Sequence, residues 1–212
     1  MNYQIMIRSI PKDTIPEVHS RIISVMNGIP KPWGFEGDGG PSVPDCGKGL
    51  LAQVKLLKYL GPGVRGSIVY NYRGCQGDDD MYDDFMVLEF NPAKHQYSEL
   101  LRSILPRYIK AFPAYLAFIR DDDWILIDRE EMLKTAPNRR TSVHRIYPVH
   151  YFNDLLCLRA FKKTPAELIK LLSGECEHIE LMNSGVYLIA TSKIIGLEEA
   201  NQINDRLLKL IR

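Results

Sequence analysis

The stretch Glu177–Thr191 reads EHIELMNSGVYLIAT. It holds two short runs with a strand-like pattern, 177–182 and 185–191, separated by Asn183-Ser184. A two-residue polar break between such runs marks a β-hairpin. Just before it lies Thr164-Pro165-Ala166-Glu167. That is a capping hydroxyl, a proline at the first helical position and a glutamate three residues after the cap. Leu168, Ile169, Leu171 and Leu172 follow, and Gly174 ends the helix. After the hairpin, LEEANQINDRLLKLIR puts Leu197, Ala200, Ile203, Leu207, Leu208 and Ile211 on one side of a closing helix. A helix, a hairpin and a helix in series set the expectation for the whole chain.

Working outward, the same grammar recurs. Residues 2–9 read as a strand. Thr14 and Pro16 open a helix whose stripe of Val18, Ile22, Ile23, Val25 and Met26 stops at Asn27-Gly28. LLAQVKLLKYL, 50–60, has helical spacing and ends at Gly61-Pro62-Gly63. Residues 66–72 and 85–90 read as a hairpin with a long tip. Residues 96–112 read as a helix that Pro106 should kink. Residues 114–120 and 124–129 read as a second hairpin turning at Asp121-Asp122-Asp123. Residues 132–145 are polar and basic and read as loop. A short extended segment, YPVHYF, is followed by a helical turn capped near Asn153-Asp154. Strands alternating with helices, with three hairpins, predict an α+β fold: an antiparallel sheet built from hairpins with helices packed on it. One domain over 1–212 is expected, with a long Gly/Pro-rich loop at 28–49.

Composition narrows the function. Of 212 residues, 45% are apolar and 25% charged, and the net charge is +1. This is an ordinary globular balance without a general nucleic-acid footprint. The N-terminus lacks the pattern of a signal peptide and no run approaches a membrane span, so a cytoplasmic protein is expected. Cys46, Cys75, Cys157 and Cys176 show no zinc spacing. Cys176 and His178 would share a strand face, but nothing nearby would orient the histidine for catalysis. There is no phosphate loop, and no G-x-S-x-G or H-E-x-x-H. His144 and His150 show no ligand pattern, and Pro44-Asp45 lacks the follow-on residues of a nuclease site. No cofactor and no enzymatic activity are expected.

Charge is concentrated locally. GDDDMYDDF, 77–85, carries Asp78, Asp79, Asp80, Asp83 and Asp84 around Tyr82. As a calcium loop it would use Asp78, Asp80 and Glu89, but it has Asp83 where the sharp turn needs glycine, and a strand follows. Looser cation binding by the cluster would suit a small metal-dependent hydrolase, the alternative reading; an adaptor domain is another. The remaining options are a solvated tip or a face for a basic partner. The second tip, Asp121, Asp122 and Asp123 beside Trp124, and the loop aromatics Trp33 and Phe35 complete the candidate partner-binding set.

The segments PVHYFNDLLCLRAFKKTPAELIKLLSG (148–174), GVYLIATSKI (185–194) and LEEANQINDRLLKLI (197–211), with the aromatic–glycine segment Trp33–Gly37, resemble immunity protein 52-type sequences. That resemblance implies an α+β, non-enzymatic cytosolic antidote. Its partner would be one cognate toxin of a polymorphic or type VI secretion system, often a nuclease and so basic. The resemblance assigns no individual binding residue. Direct nucleic-acid or membrane binding is not expected, and a homodimer is compatible with it.

Overall fold

A computed structural model describes residues 1–37, 39–45, 50–74, 77–135 and 137–212. The chain forms two compact units. An N-terminal unit comprises Ile5–Ala114, and a C-terminal unit joins Met1–Gln4 to Tyr115–Arg212. Both mix strands and helices, and the protein is α+β.

In the N-terminal unit the strands are β1 (Tyr3–Ser9, which begins in the other unit), β2 (Leu51–Lys55), β3 (Val64–Asn71) and β4 (Asp84–Phe90), side by side in the order β2-β3-β4-β1. β2 and β3 are antiparallel, as are β3 and β4. Helix α1 (Ile15–Asn27) opens with a full capping box, Thr14 to Glu17, and buries Val18, Ile22 and Met26. It packs on α3 (Leu105–Ala111).

Two expectations change here. The 50–60 segment is β2 and a following turn, not a helix. Ala52 and Val54 point inward while Leu51, Gln53 and Lys55 face out. Pairing with β3 overrides the helix preference of its leucines and lysines. The 96–112 helix runs as α2 (Tyr97–Glu99), a π-helical turn at Leu100–Ile104 and then α3. The wide turn immediately precedes Pro106, whose missing N–H leaves a gap in the normal ladder.

In the C-terminal unit β5 (Leu116–Asp121), β6 (Val149–Phe152), β8 (Gly185–Ile189) and β7 (His178–Met182) lie in that order, each pairing antiparallel. The β7–β8 hairpin is present as expected. Asn183 and Ser184 both have positive φ, 47° and 64°, which is the tight turn that matches strand twist. Gly185 is required by a close approach: a Cβ there would sit 2.2 Å from the Phe152 carbonyl oxygen. Helix α6 (Pro165–Leu172) has the predicted capping box, α5 (Asp154–Phe161) is capped by Asn153, and α7 (Leu197–Ile211) buries Ala200, Ile203, Leu207 and Ile211. Helix α6 packs against β7, β8 and α7.

The second acidic hairpin does not form. Asp121 ends β5, and α4 (Asp122–Thr135) follows directly. Residues 124–129 are therefore helical, and 132–135 continue that helix. The Asp121 carboxylate accepts the Trp124 amide at 2.9 Å, while Asp122 and Asp123 occupy the first turn, where the helix dipole favours negative charge.

Candidate partner-binding surface

The acidic tip is largely an internal structure. Leaving β3, the chain passes Tyr72 and Arg73. The described part of the connection resumes at Gly77, makes a short 3-10 turn at Asp80–Tyr82 and enters β4 at Asp84. Asp84 is buried, and Arg73 grips it with both nitrogens, Nη1 to Oδ1 at 2.8 Å and Nη2 to Oδ2 at 2.6 Å. The Asn71 amide donates to the same carboxylate at 2.9 Å. Arg73 also donates to the Asp13 and Asn71 carbonyls, each at 2.8 Å.

From β1, Arg8 reaches Asp83, its Nε donating to Oδ2 at 2.9 Å, and it also donates to the Asp80 carbonyl. Asp80 and Asp83 are buried. A bidentate guanidinium–carboxylate pair fixes direction as well as charge. Three of the five carboxylates thus hold the connection in place. Asp78 and Asp79 are exposed, and Asp79 accepts the Met81 amide at 3.0 Å. Tyr82 is half-buried.

Around this anchored backbone the chain exposes large apolar groups. Met81 is 67% exposed and Tyr72 47%, and across the β2–β3 pairing Leu50 and Leu51 are 70% and 55% exposed. The Tyr72 amide donates to the Leu50 carbonyl at 2.8 Å, which places the two residues side by side. Singly exposed apolar residues are routine, but Tyr72 and Met81 both lie on the connection that also exposes Asp78 and Asp79, and large apolar and acidic groups on one held segment suit a partner.

The other sequence-predicted residues lie elsewhere. Trp33 is buried edge-on to Phe90 and His95, at centroid distances of 4.9 and 5.3 Å, and its carbonyl accepts the Tyr108 hydroxyl. Phe35 is buried against Tyr59. Both pin the loop around them to the core, and Gly34 lets it pass, since a Cβ there would meet the Ile29 carbonyl oxygen at 2.1 Å. Trp124 is buried, with the Arg145 guanidinium 3.7 Å above its ring. Asp121 is buried as the helix cap, and Asp122 and Asp123 are exposed. Met81 and the leucines were not singled out from sequence, although an apolar residue in the middle of an acidic run was the available signal.

No group of three or more His, Cys, Asp or Glu is arranged to hold a metal ion among the described residues. Burial pushes the Cys157 thiol up to about 12 and the half-buried Cys176 thiol up to about 11, so both are protonated at neutral pH. Cys46 and Cys75 lie outside the described residues. Among the described residues no helix is long and apolar enough to cross a membrane.

No family model matches the chain, and no curated protein matches it. The structure is similar to that of a Pseudomonas aeruginosa T6SS protein, with a TM-score of 0.54 at 12% identity, covering 99% of this chain and 73% of that one. At that identity the likeness is one of fold.

Proposed function

We propose that the protein is an immunity protein that binds and neutralises a cognate bacterial toxin, a basic and nuclease-like one, without enzymatic activity of its own. The observation that carries the reading is the exposed Tyr72 and Met81 on the β3–β4 connection, which also exposes Asp78 and Asp79 and is held by the buried Arg73–Asp84 pair. A pre-ordered backbone reduces the entropy lost on binding, so exposed aromatic and aliphatic groups contribute more of their contact energy. The exposed carboxylates would attract a cationic cleft and speed encounter. The fold likeness to a T6SS protein and the resemblance of the C-terminal segments to immunity protein 52-type sequences support the same reading.

Co-expression with the product of the adjacent upstream gene tests it. The protein is expected to restore growth and to copurify with that product. Failure to protect, with no complex recovered, would sink the proposal. Reversing Asp78 and Asp79 to lysine is expected to slow association by about tenfold at low salt while leaving dissociation nearly unchanged. If protection persists and the association rate does not move, the acidic contribution falls while the immunity role stands.

A further inference from the structure

A separate feature lies on helix α4 of the C-terminal unit. Among its described residues Trp124 and Asp128, one turn apart, are buried and mark the inner side. Leu126 and Leu133 fall on the opposite side and are 64% and 79% exposed. They are seven residues apart, two turns or about 10 Å along the axis, so they lie in one line. Arg129 and Glu130 come between them on the same face, and both are exposed. Asp122 and Asp123 stand in the first turn and Lys134 in the last. Scattered exposed leucines are ordinary. Two at heptad spacing on the outer face of a 14-residue helix form a seam.

The order Leu126, Arg129, Glu130, Leu133 is self-complementary when this face meets a copy of itself running the opposite way. A twofold axis between positions 129 and 130 sets Leu126 opposite the partner's Leu133 and Arg129 opposite the partner's Glu130. Each contact then occurs twice, as an isologous interface requires. Adjacent residues on a helix do not face one another, so Arg129 and Glu130 do not neutralise each other. Among the described residues neither is in an ion pair. Lys134 comes level with the partner's Ile125, one turn from an acidic helix start, and the two helix dipoles run in opposition. A parallel arrangement would instead set arginine level with arginine and glutamate level with glutamate.

We infer that the outer face of α4 docks antiparallel against α4 of a second copy of this chain. The leucines supply the apolar contact, and the Arg129–Glu130 pairs fix direction and register. One helix pair buries less than a standard interface, so the dimer is weak, reversible and sensitive to salt. The inference does not rest on the toxin reading, whose surface is the β3–β4 connection.

The test is sedimentation velocity of the full chain over a wide concentration range at low salt. Concentration-dependent dimerisation is expected, and Leu133→Glu should abolish it. Arg129→Glu and Glu130→Arg should each weaken it by at least about tenfold, because each sets like charges opposite one another twice. Mixing these two single variants in equal amounts should restore association, since every contact in the mixed pair again joins opposite charges. The Arg129→Glu/Glu130→Arg chain should dimerise on its own. All these positions are exposed, so circular dichroism should show an unchanged fold. A chain that stays monomeric at every concentration would overturn the inference and leave the face to a different partner. A dimer indifferent to both single charge variants would overturn it too, by placing the second copy on another surface. So would single variants that stay apart when mixed.

Discussion

Replacing Arg73 by methionine is the sharpest probe of how the acidic connection is built. Asp84 is 1% exposed at its side chain and accepts three hydrogen bonds, two from Arg73 and one from the Asn71 amide. Methionine keeps much of the side chain's bulk but removes both charged bonds and the neutralising charge. Breaking a buried ion pair from one side costs about 3–5 kcal/mol, because the remaining charge is left uncompensated. Arg73 is itself 23% exposed, so water can reach part of the vacated space and the lower end applies. The expected loss is about 3 kcal/mol. Trp33 and Trp124 lie in different units, so urea unfolding of a Trp124→Phe background, followed by fluorescence, reports on the N-terminal unit through Trp33. With a slope of about 2 kcal/mol per molar, the midpoint should fall by about 1.5 M. Adding Asp84→Asn should then recover at least about half of the loss, since a neutral amide oxygen can still accept the Asn71 N–H. A loss below about 1 kcal/mol, as for an exposed pair, would rule out a buried, structure-holding role for the Arg73–Asp84 pair. An additive penalty in the double variant would refute it equally.

Three further outcomes follow from the C-terminal unit. Gly185→Ala places a Cβ 2.2 Å from a backbone oxygen, and should cost about 2 kcal/mol, read as a lowered Tm. Asn153→Ala removes the side-chain cap that accepts the Leu156 amide at 2.8 Å, and should cost about 1 kcal/mol in the same assay. Burial lowers the pKa of His150 to about 3. The unfolded chain then binds protons that the folded chain refuses. This contribution is fully present above the unfolded pKa, near 6.5, and is lost as pH falls from there toward 3. Stability should decline by up to about 1.4 kcal/mol per pH unit for His150 below pH 6, and His150→Phe should flatten that slope in urea titrations between pH 6 and 4.5.

What the sequence reveals depends on how local each signal is. The Thr164–Glu167 box, the Asn183-Ser184 turn and the stripe of the last helix are complete within a few residues, and all three are found in place. Residues 50–60 and 124–129 mislead because their fate is decided elsewhere. LLAQVK is rich in helix formers but completes an edge beside β3. WILIDR alternates like a strand, yet Asp121-Asp122-Asp123 before it is also a helix start, a cap followed by acids in the first turn. The acidic tip was visible as charge, but its use was not. The groups that hold it, Arg8 and Arg73, come from another strand and from across the connection, and pairing at that range leaves no spacing to read. Trp33 and Phe35 stood among the partner-binding candidates, yet both are buried, and packing rather than any local pattern decides that.

On the proposed reading, the anchored surface at Tyr72 and Met81 captures a toxin. Calorimetry between the purified protein and the inactivated product of the neighbouring gene tests it most directly, with a Tyr72→Ala/Met81→Ala variant whose fold is verified by circular dichroism. A stoichiometric complex is expected, which the double variant weakens by at least about 2 kcal/mol, or roughly thirtyfold. No heat of binding with the wild-type protein, or equal affinity for the variant, would contradict it.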